Sequence, residues 1–595
     1  MTGQTTKLSP ASKKHKGLAA PMDLFAVESP LQESRRQWVP PRPRVLHGPF
    51  HIVDESPNAA KDSVPSSDVY KAFEHLKGNS AVQLLAASSN GASHTNGASN
   101  GATKSSTNGH AKELPSLRIG IVLSGGQAPG GHNVIGGLLD YLLERHPGSQ
   151  LIGFKNGPGG ILKKSFMDIT EDIMAGFRNQ GGFHLIGSGR DKIEKEKDLE
   201  QAAYVVKELD LDGLIVCGGD DSNTNAAVLA ENFAAKGLKT CVIGVPKTID
   251  GDLKNSQVAT SFGFDTACKV YSEQIGNLMM DALSAKKYYH FVRLMGRAAS
   301  HITLECALQT HPQAAIICEE VHQQGKTLAD IVDEIADIVT KRAEEGKNYG
   351  IVLIPEGLIE HIPQIGALIS ELNDLLADVT TDVDSHDAVM TRLSPASLAV
   401  FEFLPASTRQ QLLLDRDPHG NVQVSRIETE QLLLQLVDVE LEKRRKEGKF
   451  HGKFAGLTHY FGYEGRCSFP TNFDAAYCAT LGYVAGALVA GGKTGLMATA
   501  SSLDKPCAEW TVGGYPLIDM MCIERRRGKD KPVIKKALVE LEGPVFKAFK
   551  QMRSKWAQED CFRSPGPIQF SGPNADGANF TLALELNSNQ PIQIT

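Results

Sequence analysis

The 595-residue sequence lacks the features that mark several common classes of protein. Its 62 lysines and arginines are outnumbered by 69 aspartates and glutamates, and the net charge of −7 is not that of a typical nucleic-acid-binding protein. No run approaches the roughly 20 apolar residues that a membrane helix needs. The composition therefore argues against a nucleic-acid partner and against a membrane-spanning protein.

Paired cysteines and a secretory leader are also missing. The ten cysteines form no C-x-x-C pair, and several, such as Cys217, Cys241 and Cys318, fall inside apolar runs. This distribution predicts buried free thiols in a reducing compartment, not disulfides or a zinc site. The Ser-, Thr- and Lys-rich start has no charged-then-apolar signal pattern, so a mobile tail of a cytoplasmic protein is favoured over organelle targeting.

A chain of this length is expected to fold as more than one domain. Residues 1–75 are rich in Pro and polar residues and are predicted to form an amino-terminal extension. Its basic, aromatic patch Arg35-Arg36-Gln37-Trp38 either binds an anion or packs on the body of the protein. Ser, Asn, Gly and Ala dominate the next segment, so residues 76–114 are predicted to be a disordered linker and the folded body to begin near Pro115.

The remaining sequence alternates strand-like apolar runs with helical patterns, which indicates an α/β fold with parallel sheets. Leucines at helical spacing predict a helical insertion over residues 364–446. The predicted strands are Leu117–Leu123, Leu151–Phe154, Leu185–Gly187, Leu214–Cys217, Cys241–Val245, Phe291–Leu294, Ala314–Cys318, Ile351–Ile354 and Ala508–Val512.

The first of these strands runs into a glycine-rich turn, Ser124–Asn133, before an amphipathic helix. Such a turn lets backbone N–H groups approach a phosphate at the start of the helix. Its glycine spacing differs from the dinucleotide fingerprint, and no acidic residue closes a second strand at the expected distance. The turn therefore indicates phosphate binding and argues against a dinucleotide-dependent dehydrogenase.

Two further strands end in Gly218–Ser222 and Pro246–Asp252, which carry four carboxylates and one lysine. Ligands bind at the carboxyl edge of open α/β sheets, so these groups are expected to share a site. Phosphoryl transfer needs a divalent metal, a base and cations. Asp220 is a candidate Mg²⁺ ligand and Asp250 a candidate base, and the alternative is a solvated acidic loop.

Six motifs, in this order, resemble the phosphofructokinase family: Ser124–Asn133, Gly218–Ser222, Pro246–Asp252, Met295–Arg297, Pro355–Gly357 and Tyr463–Arg466. The insertion and the extension resemble the long, pyrophosphate-dependent branch, and Ser29–Gln32 with Arg35-Arg36 resembles its plant-type members. The resemblance implies two Rossmann-like, doubly wound parallel-sheet domains of the phosphofructokinase fold. Its implied division is a pyrophosphate and Mg²⁺ domain (115–265 and 467–559), a fructose 6-phosphate domain (266–363 and 447–466) and a carboxyl-terminal segment (560–595).

Two positions bear on the phosphoryl donor. ATP-dependent members of the family carry glycine where this chain has Asp221 and Lys247. A carboxylate at Asp221 would stand where an α-phosphate must lie, whereas Lys247 adds a cation for the departing phosphate. The resemblance therefore implies phosphoryl transfer from inorganic pyrophosphate to the 1-hydroxyl of fructose 6-phosphate, with Mg²⁺ as cofactor. An ATP-dependent phosphofructokinase is one alternative, and a regulatory sugar-phosphate-binding subunit is another that the intact acidic motifs disfavour.

The resemblance also assigns roles to single residues. Asp250 corresponds to the general base, Asp220 to the Mg²⁺ ligand, and Gly125 and Gly126 to backbone contacts with pyrophosphate. Asp252 corresponds to a second acid at the substrate site that supports the metal or the base. The implied sugar-phosphate site comprises Thr248, Ile249, Met295, Gly296, Arg297, Glu356, Tyr463, Glu464, Gly465 and Arg466.

Lys287 and Tyr288 match positions that reach the sugar phosphate from a neighbouring subunit. The resemblance thus implies an oligomer, formed by this chain alone or with a regulatory alpha-type subunit. Tyr288 and Tyr463 stand where ATP-dependent relatives have other polar residues.

Overall fold

The computed structural model describes residues 28–55, 65–87, 114–377, 389–414, 422, 426–526 and 529–587. The predicted α/β class is confirmed, because two sheets with parallel centres are flanked by helices. The strands are β1 Phe50–Asp54, β2 Val82–Ala86, β3 Arg118–Leu123, β4 Gln150–Phe154, β5 Phe166–Asp168, β6 Gly213–Gly218, β7 Cys241–Thr248, β8 Phe262–Gly263, β9 Tyr289–Leu294, β10 Ala314–Ala315, β11 Gly350–Pro355, β12 Gly456–Phe461, β13 Leu496–Ser501, β14 Thr511–Pro516, β15 Met521–Arg526 and β16 Lys529–Ile534.

Helices separate most of these strands. They are α1 Pro30–Gln37, α2 Ser67–Ala72, α3 Gly131–Arg145, α4 Pro158–Leu162, α5 Glu171–Ala175, α6 Glu196–Glu208, α7 Asp220–Ala235, α8 Phe264–Ala285, α9 His301–Thr310, α10 Cys318–Gln323, α11 Leu328–Glu344, α12 Leu358–His361, α13 Pro363–Ala377, α14 Pro395–Phe403, α15 Ala406–Leu414, α16 Thr429–Lys446, α17 Tyr463–Arg466, α18 Asn472–Ala490, α19 Pro544–Gln558 and α20 Phe580–Leu586.

The large sheet has the order β1-β2-β14-β13-β7-β6-β3-β4-β5, with β8 paired to β7. Its centre, β13-β7-β6-β3-β4, is parallel, and every residue of β6 is buried. Strands covered by helices on both faces are continuously apolar, as β3, β6 and β7 are. The carboxyl ends of these parallel strands all lie along one edge.

The small sheet, β10-β11-β9-β12, is parallel throughout. One apolar cluster joins this sheet to α11 and to the helices of the predicted insertion, through residues such as Phe291, Ile335, Leu368, Phe401 and Leu433. The predicted insertion is helical where the structure describes it, since α13, α14, α15 and α16 fall almost wholly within residues 364–446. It packs on the small sheet.

Helix α18 is the interior helix of the large-sheet region. Among the described helices it alone is long and apolar enough to cross a membrane by composition, and 94% of its most apolar stretch is buried inside the protein. It lies against α3 so closely that a Cβ on Gly137 would be 2.0 Å from the Ala479 carbonyl oxygen. Burial in the protein core, not a lipid environment, accounts for its composition.

Three strand predictions need correction. Leu185–Gly187 is a turn, in which the Gly187 N–H donates to the Phe183 carbonyl at 2.7 Å and Gly187 has a φ of +71°. Apolar character there reflects burial, not an extended chain. Ala314–Cys318 is a strand only over its first two residues, because Cys318 begins α10, and the strand predicted at Ala508–Val512 begins later, at Thr511.

The predicted disordered linker over 76–114 is wrong in its first part. Val82–Ala86 forms β2, which pairs with β1 and with β14, so the folded body begins well before Pro115. Burial alternates over the first part of this strand, where Val82 and Leu84 are buried and Gln83 and Leu85 are more exposed. Residues 88–113, where Ser, Asn, Gly and Ala dominate, lie outside the described residues.

The basic, aromatic patch of the extension packs on the body of the protein. The Arg35 guanidinium is 2% exposed, lies 4.4 Å from the ring centre of Trp38 and 4.3 Å from that of Phe570, and donates to Asn472 Oδ1 at 2.8 Å. Arg36 pairs with Glu28. These contacts favour the packing interpretation over anion binding.

Candidate active site

The six motifs follow the carboxyl ends of six parallel strands. Three of them come after β3, β6 and β7 of the large sheet, and three after β9, β11 and β12 of the small sheet. Each sheet thereby presents its polar residues along a single edge, the position at which open α/β sheets bind ligands.

Lys247 lies near the end of β7 and is 5% exposed. Its Nζ donates to the Gly126 carbonyl at 2.7 Å. Gly125 has a φ of +86°, and a Cβ there would be 3.3 Å from Nζ, so a side chain at this position would be both strained and crowded. Burial lowers the pKa of Lys247 to about 8, against the opposing effects of Cys217 and of the Asp250 carboxylate.

Two arginines complete a positive environment around the same turn. A Cβ on Gly126 would lie 2.9 Å from Arg466 Nη2 and 3.8 Å from Arg190 Nη2. Arg466 also donates to Gln127 Oε1. Three cations therefore surround the Gly125-Gly126 backbone, which suits a phosphate group.

The acidic motif begins helix α7. Asp220 is the first helical residue, and its Oδ2 lies 3.8 Å from Lys536 Nζ. Asp221 is about half exposed, and its Oδ2 lies 3.3 Å from Lys192 Nζ. Each of these aspartates thus has a lysine from a distant segment beside it.

Asp250 and Asp252 lie within the same electrostatic cluster. Burial raises the pKa of Asp250, and the cations Arg297, Lys536 and Lys247 oppose that effect, in decreasing order. Asp252 is 5% exposed, and burial together with the Asp250 charge raises its pKa to about 7. The influence of Arg297 shows that residues from the two sheets meet here, because Arg297 follows β9 and Asp250 follows β7.

The ends of β9 and β11 interlock. The Gly296 N–H donates to Glu356 Oε2 at 3.2 Å, and a Cβ on Gly357 would be 1.9 Å from the Arg297 carbonyl oxygen. Burial raises the pKa of Glu356, against the Gly296 hydrogen bond. This close fit fixes the backbone on either side of Arg297, whose side chain is exposed.

The turn after β12 presents its side chains outward. The Gly462 N–H donates to Glu464 Oε2 at 2.7 Å, and Tyr463 is 70% exposed. Gly465 packs on the ring of Tyr271, where a Cβ would approach to 2.7 Å. Arg466 lies with its Cζ 5.2 Å from the Tyr463 ring centre.

The remaining predicted residues divide into two groups. Ile249 is buried, Met295 is half-buried, and the Thr248 hydroxyl accepts from the Asp250 N–H at 3.0 Å. Lys287 and Tyr288 contact each other, with Lys287 Nζ 5.1 Å from the Tyr288 ring centre. They precede β9, whose six residues span about 20 Å, so they lie at the opposite edge of the small sheet from the other predicted residues.

The acidic cluster also bears on metal binding. Within the described part of the chain, no group of three or more His, Cys, Asp or Glu side chains is arranged to hold a metal ion. Sites for Mg²⁺ in phosphoryl transfer use one or two carboxylates with substrate phosphates and water. Asp220, at the start of α7 and at the same sheet edge as the Gly125-Gly126 turn, fits that kind of site.

Sequence reasoning missed four charged residues of this region: Arg190, Lys192, Glu360 and Lys536. Burial raises the pKa of Glu360, and the charges of Arg297 and Lys536 oppose that rise. Arg190 and Lys192 follow the apolar run Leu185–Gly187, which was predicted to be a strand. Polar residues after such runs identified the other motifs, but the residues after this run were not assigned to the site. Lys536 follows β16, and the adjacent Ala537 N–H donates to the Asp252 carbonyl at 2.7 Å. No local pattern indicates that contact.

Comparison with known proteins agrees with this geometry. Residues 118–394 match the family described as phosphofructokinase. The chain is 54% identical to the pyrophosphate–fructose 6-phosphate 1-phosphotransferase subunit beta of Ricinus communis, covering 95% of this chain and 98% of that protein. It is 49% identical to the pyrophosphate–fructose 6-phosphate 1-phosphotransferase of Treponema pallidum (93% and 96%) and 41% identical to subunit alpha 1 of the Arabidopsis thaliana enzyme (94% and 89%).

The similarity to these proteins extends through both sheets and the insertion between β11 and β12. Together with the six motifs at the carboxyl ends of the strands, this similarity shows that the chain belongs to the phosphofructokinase family, in the branch of the pyrophosphate–fructose 6-phosphate 1-phosphotransferases.

Proposed function

We propose that this chain reversibly transfers a phosphoryl group from inorganic pyrophosphate to the 1-hydroxyl of fructose 6-phosphate, giving fructose 1,6-bisphosphate and phosphate. The observation that carries the proposal is Lys247, a buried cation bonded to the Gly126 carbonyl. A lysine here suits a donor that has no nucleoside to anchor it. The names of the relatives point to the same reaction.

The large-sheet residues form the donor site. The Gly125 and Gly126 backbone and Lys247 bind pyrophosphate, and Asp221 excludes the α-phosphate of a nucleotide because like charges repel. Asp220 would hold Mg²⁺, which neutralises charge on the phosphate oxygens when bound. Asp252 supports the metal or the base from its position beside Asp220 and Asp250.

Asp250 is the general base. It removes the proton of the sugar 1-hydroxyl as that oxygen bonds to phosphorus, while the bridging P–O bond of pyrophosphate breaks and phosphate departs. Lys247 stabilises the charge of the departing phosphate. Burial raises the pKa of Asp250, which makes its carboxylate a stronger base, and the nearby Arg297, Lys536 and Lys247 oppose that rise.

Residues at the carboxyl edge of the small sheet, together with Thr248 and Ile249 at the end of β7 in the large sheet, form the acceptor site. Thr248, Ile249, Met295, Gly296, Arg297, Glu356 and the Tyr463–Arg466 turn bind fructose 6-phosphate, and Lys287 and Tyr288 contribute from a neighbouring subunit. The opposite-edge position of this pair supports the second part of the proposal, because within one chain the pair is too far away. The site is thereby completed by oligomerisation, either with a copy of this chain or with an alpha-type chain.

The two sheets support the domain division. The large sheet corresponds to the pyrophosphate and Mg²⁺ domain, 115–265 and 467–559, and the small sheet to the fructose 6-phosphate domain, 266–363 and 447–466. A cytoplasmic location is part of the proposal, and its support is that all ten cysteines are free thiols.

Turnover of the purified chain with pyrophosphate or ATP, at saturating fructose 6-phosphate, tests the donor and the base together. We expect turnover with pyrophosphate alone and a loss of about 10²–10⁴-fold in Asp250→Ala. Asp172→Ala, at an exposed aspartate of α5, is the matched control and should keep full activity. Turnover with ATP would contradict the donor assignment, and sugar-phosphate binding without turnover would favour a regulatory subunit.

A further inference from the structure

A buried arginine stands in the middle of the small sheet. Arg293, in the otherwise largely apolar strand β9, is 5% exposed, and its Nε lies 2.7 Å from Glu430 Oε2. Glu430 belongs to α16 of the insertion and is 6% exposed. Arg293 Nη1 also donates to the Ile427 carbonyl at 3.0 Å. The ion pair therefore joins the central strand of the sheet to the insertion.

The same guanidinium lies over an aromatic ring of the next strand. Arg293 and Tyr460 are directly paired in the parallel register of β9 and β12, and Arg293 Cζ lies 4.1 Å from the Tyr460 ring centre. A cation held this close to a ring face attracts it. The position of the guanidinium thus restricts the position of the Tyr460 ring.

Tyr460 lies directly against the turn that follows β12. Its ring is edge-on to the Tyr463 ring, with 6.4 Å between centres. A Cβ on Gly462 would be 2.8 Å from the Tyr460 hydroxyl and 3.0 Å from Met295 Cε. Gly462, Tyr460 and Met295 are therefore closely packed. A shift of the Tyr460 ring would therefore move the Tyr463–Arg466 turn and press on Met295.

Stability alone does not account for this ion pair. Removing two charges from water is energetically costly, and apolar residues of similar size often replace a buried pair without loss of stability. Apolar residues would attach α16 to the sheet equally well. They would not hold a guanidinium over Tyr460.

We propose that Arg293, held in place by Glu430 of the insertion, is a positioning residue for fructose 6-phosphate that acts through Tyr460 on the Tyr463–Arg466 turn. The inference rests on the proposed function of that turn. It makes the helical insertion part of the acceptor site, whereas the pyrophosphate-binding Gly125-Gly126 turn and Lys247 lie on the other sheet.

The main test is the double variant Arg293→Met/Glu430→Leu, which keeps buried apolar contact but removes both charges. The Ile427 carbonyl retains its bond from the Thr429 N–H at 2.9 Å. We expect KM for fructose 6-phosphate to rise about tenfold or more, with KM for pyrophosphate unchanged, because small misplacements of binding groups have effects of that size. Unchanged KM for the sugar in a folded double variant would overturn the proposal.

Arg444→Met is the matched control for attachment of the helix. Arg444 lies on the same helix and pairs with Asp333 and Asp337 of α11, away from Tyr460. The control should leave both KM values as in the wild type. If KM for the sugar rose equally in Arg444→Met and in the double variant, the Arg293–Glu430 ion pair would act only by attaching the helix to the sheet. That result would overturn the proposal.

Two variants at Tyr460 keep the proposal testable if the double variant does not fold. Tyr460→Leu removes the ring without touching the ion pair and should reproduce the rise in KM, whereas Tyr460→Phe keeps the ring and should not. An unchanged KM in Tyr460→Leu would contradict the proposed route. Calorimetric binding of fructose 6-phosphate, measured without turnover, separates failure of this inference from failure of the proposed reaction.

Discussion

At the scale of single residues, the protonation of Lys247 sets a limit on the chemistry. Burial lowers its pKa to about 8, from an ordinary value of 10.5, so its positive charge is lost as the pH rises through about 8. Loss of the charge removes stabilisation of the departing phosphate. We therefore expect kcat/KM for pyrophosphate, which reports the ionisation of groups in the free enzyme, to fall on the alkaline side of a pH profile, with an apparent pKa of about 8.

The variant Lys247→Arg tests this assignment, because a guanidinium stays charged throughout the measurable range. Its kcat/KM for pyrophosphate should be lower overall, since Arg differs in shape, but the alkaline decline of that ratio should move to higher pH or disappear. Ionisation of the substrates affects wild type and variant alike, so the difference between the profiles isolates Lys247. Lys239→Arg, at a surface lysine paired with Asp212, serves as control. Identical alkaline declines in wild type and Lys247→Arg would assign the decline to another group.

Single residues of the candidate site were predictable where a motif follows a strand. Lys247, Asp250 and Arg297 each come directly after an apolar run, and parallel strands bring such positions to one edge. Lys536 was not predictable, because its proximity depends on the path of a segment that carries no motif, whereas Arg190 was overlooked although it follows the apolar run Leu185–Gly187. The assigned roles of the site residues stay predictions, which the proposed variants test.

At the scale of secondary-structure elements, the contact between α3 and α18 depends on two glycines that face the opposite backbone. A Cβ on Gly137 would be 2.0 Å from the Ala479 carbonyl oxygen, and a Cβ on Gly482 would be 2.0 Å from the Val134 carbonyl oxygen. Backbone atoms cannot yield as a flexible side chain can. Gly137→Ala should force the helices apart and lower the free energy of unfolding by about 3 kcal/mol or more.

Gly136→Ala is the matched control, one position earlier in the same helix. Its new Cβ would meet Arg178 Nη1 at 3.5 Å, an ordinary contact, and alanine is favoured over glycine in a helix by about 0.8–1 kcal/mol. Urea unfolding of both variants compares the two effects directly. If Gly137→Ala were as stable as Gly136→Ala, close helix packing would not be what requires glycine there.

Secondary-structure elements were predictable where a buried apolar run is also extended. The continuous apolar runs of β3, β6 and β7 gave the large parallel sheet correctly, because such runs are typical of strands covered on both faces. Leu185–Gly187 is equally buried, but the chain turns there, and apolar character carries no information about direction. The strand β2 was missed because its partners include Gly513-Gly514, far along the sequence.

At the scale of the whole molecule, two sheets contribute their carboxyl edges to one electrostatic cluster, in which Arg297 of one acts on Asp250 of the other. The acceptor site proposed here is nevertheless incomplete in a single chain. Lys287 and Tyr288 lie at the amino end of β9, about 20 Å from the residues at its carboxyl end. If this pair belongs to the acceptor site, as proposed, another subunit must supply it.

Mixing two defective variants tests this arrangement. Asp250→Ala lacks the base, and Lys287→Ala/Tyr288→Ala lacks the pair, so each should have little activity at low fructose 6-phosphate. If the pair acts across a subunit contact, a mixed dimer has one site with both defects and one site with none. Co-refolding or co-expression at equal amounts should then restore about a quarter of wild-type activity, since half of randomly assembled dimers are mixed and each has one intact site. Separately purified variants mixed without subunit exchange should stay inactive. Activity of the co-assembled sample no higher than the average of the two variants would show that Lys287 and Tyr288 do not act across a subunit contact.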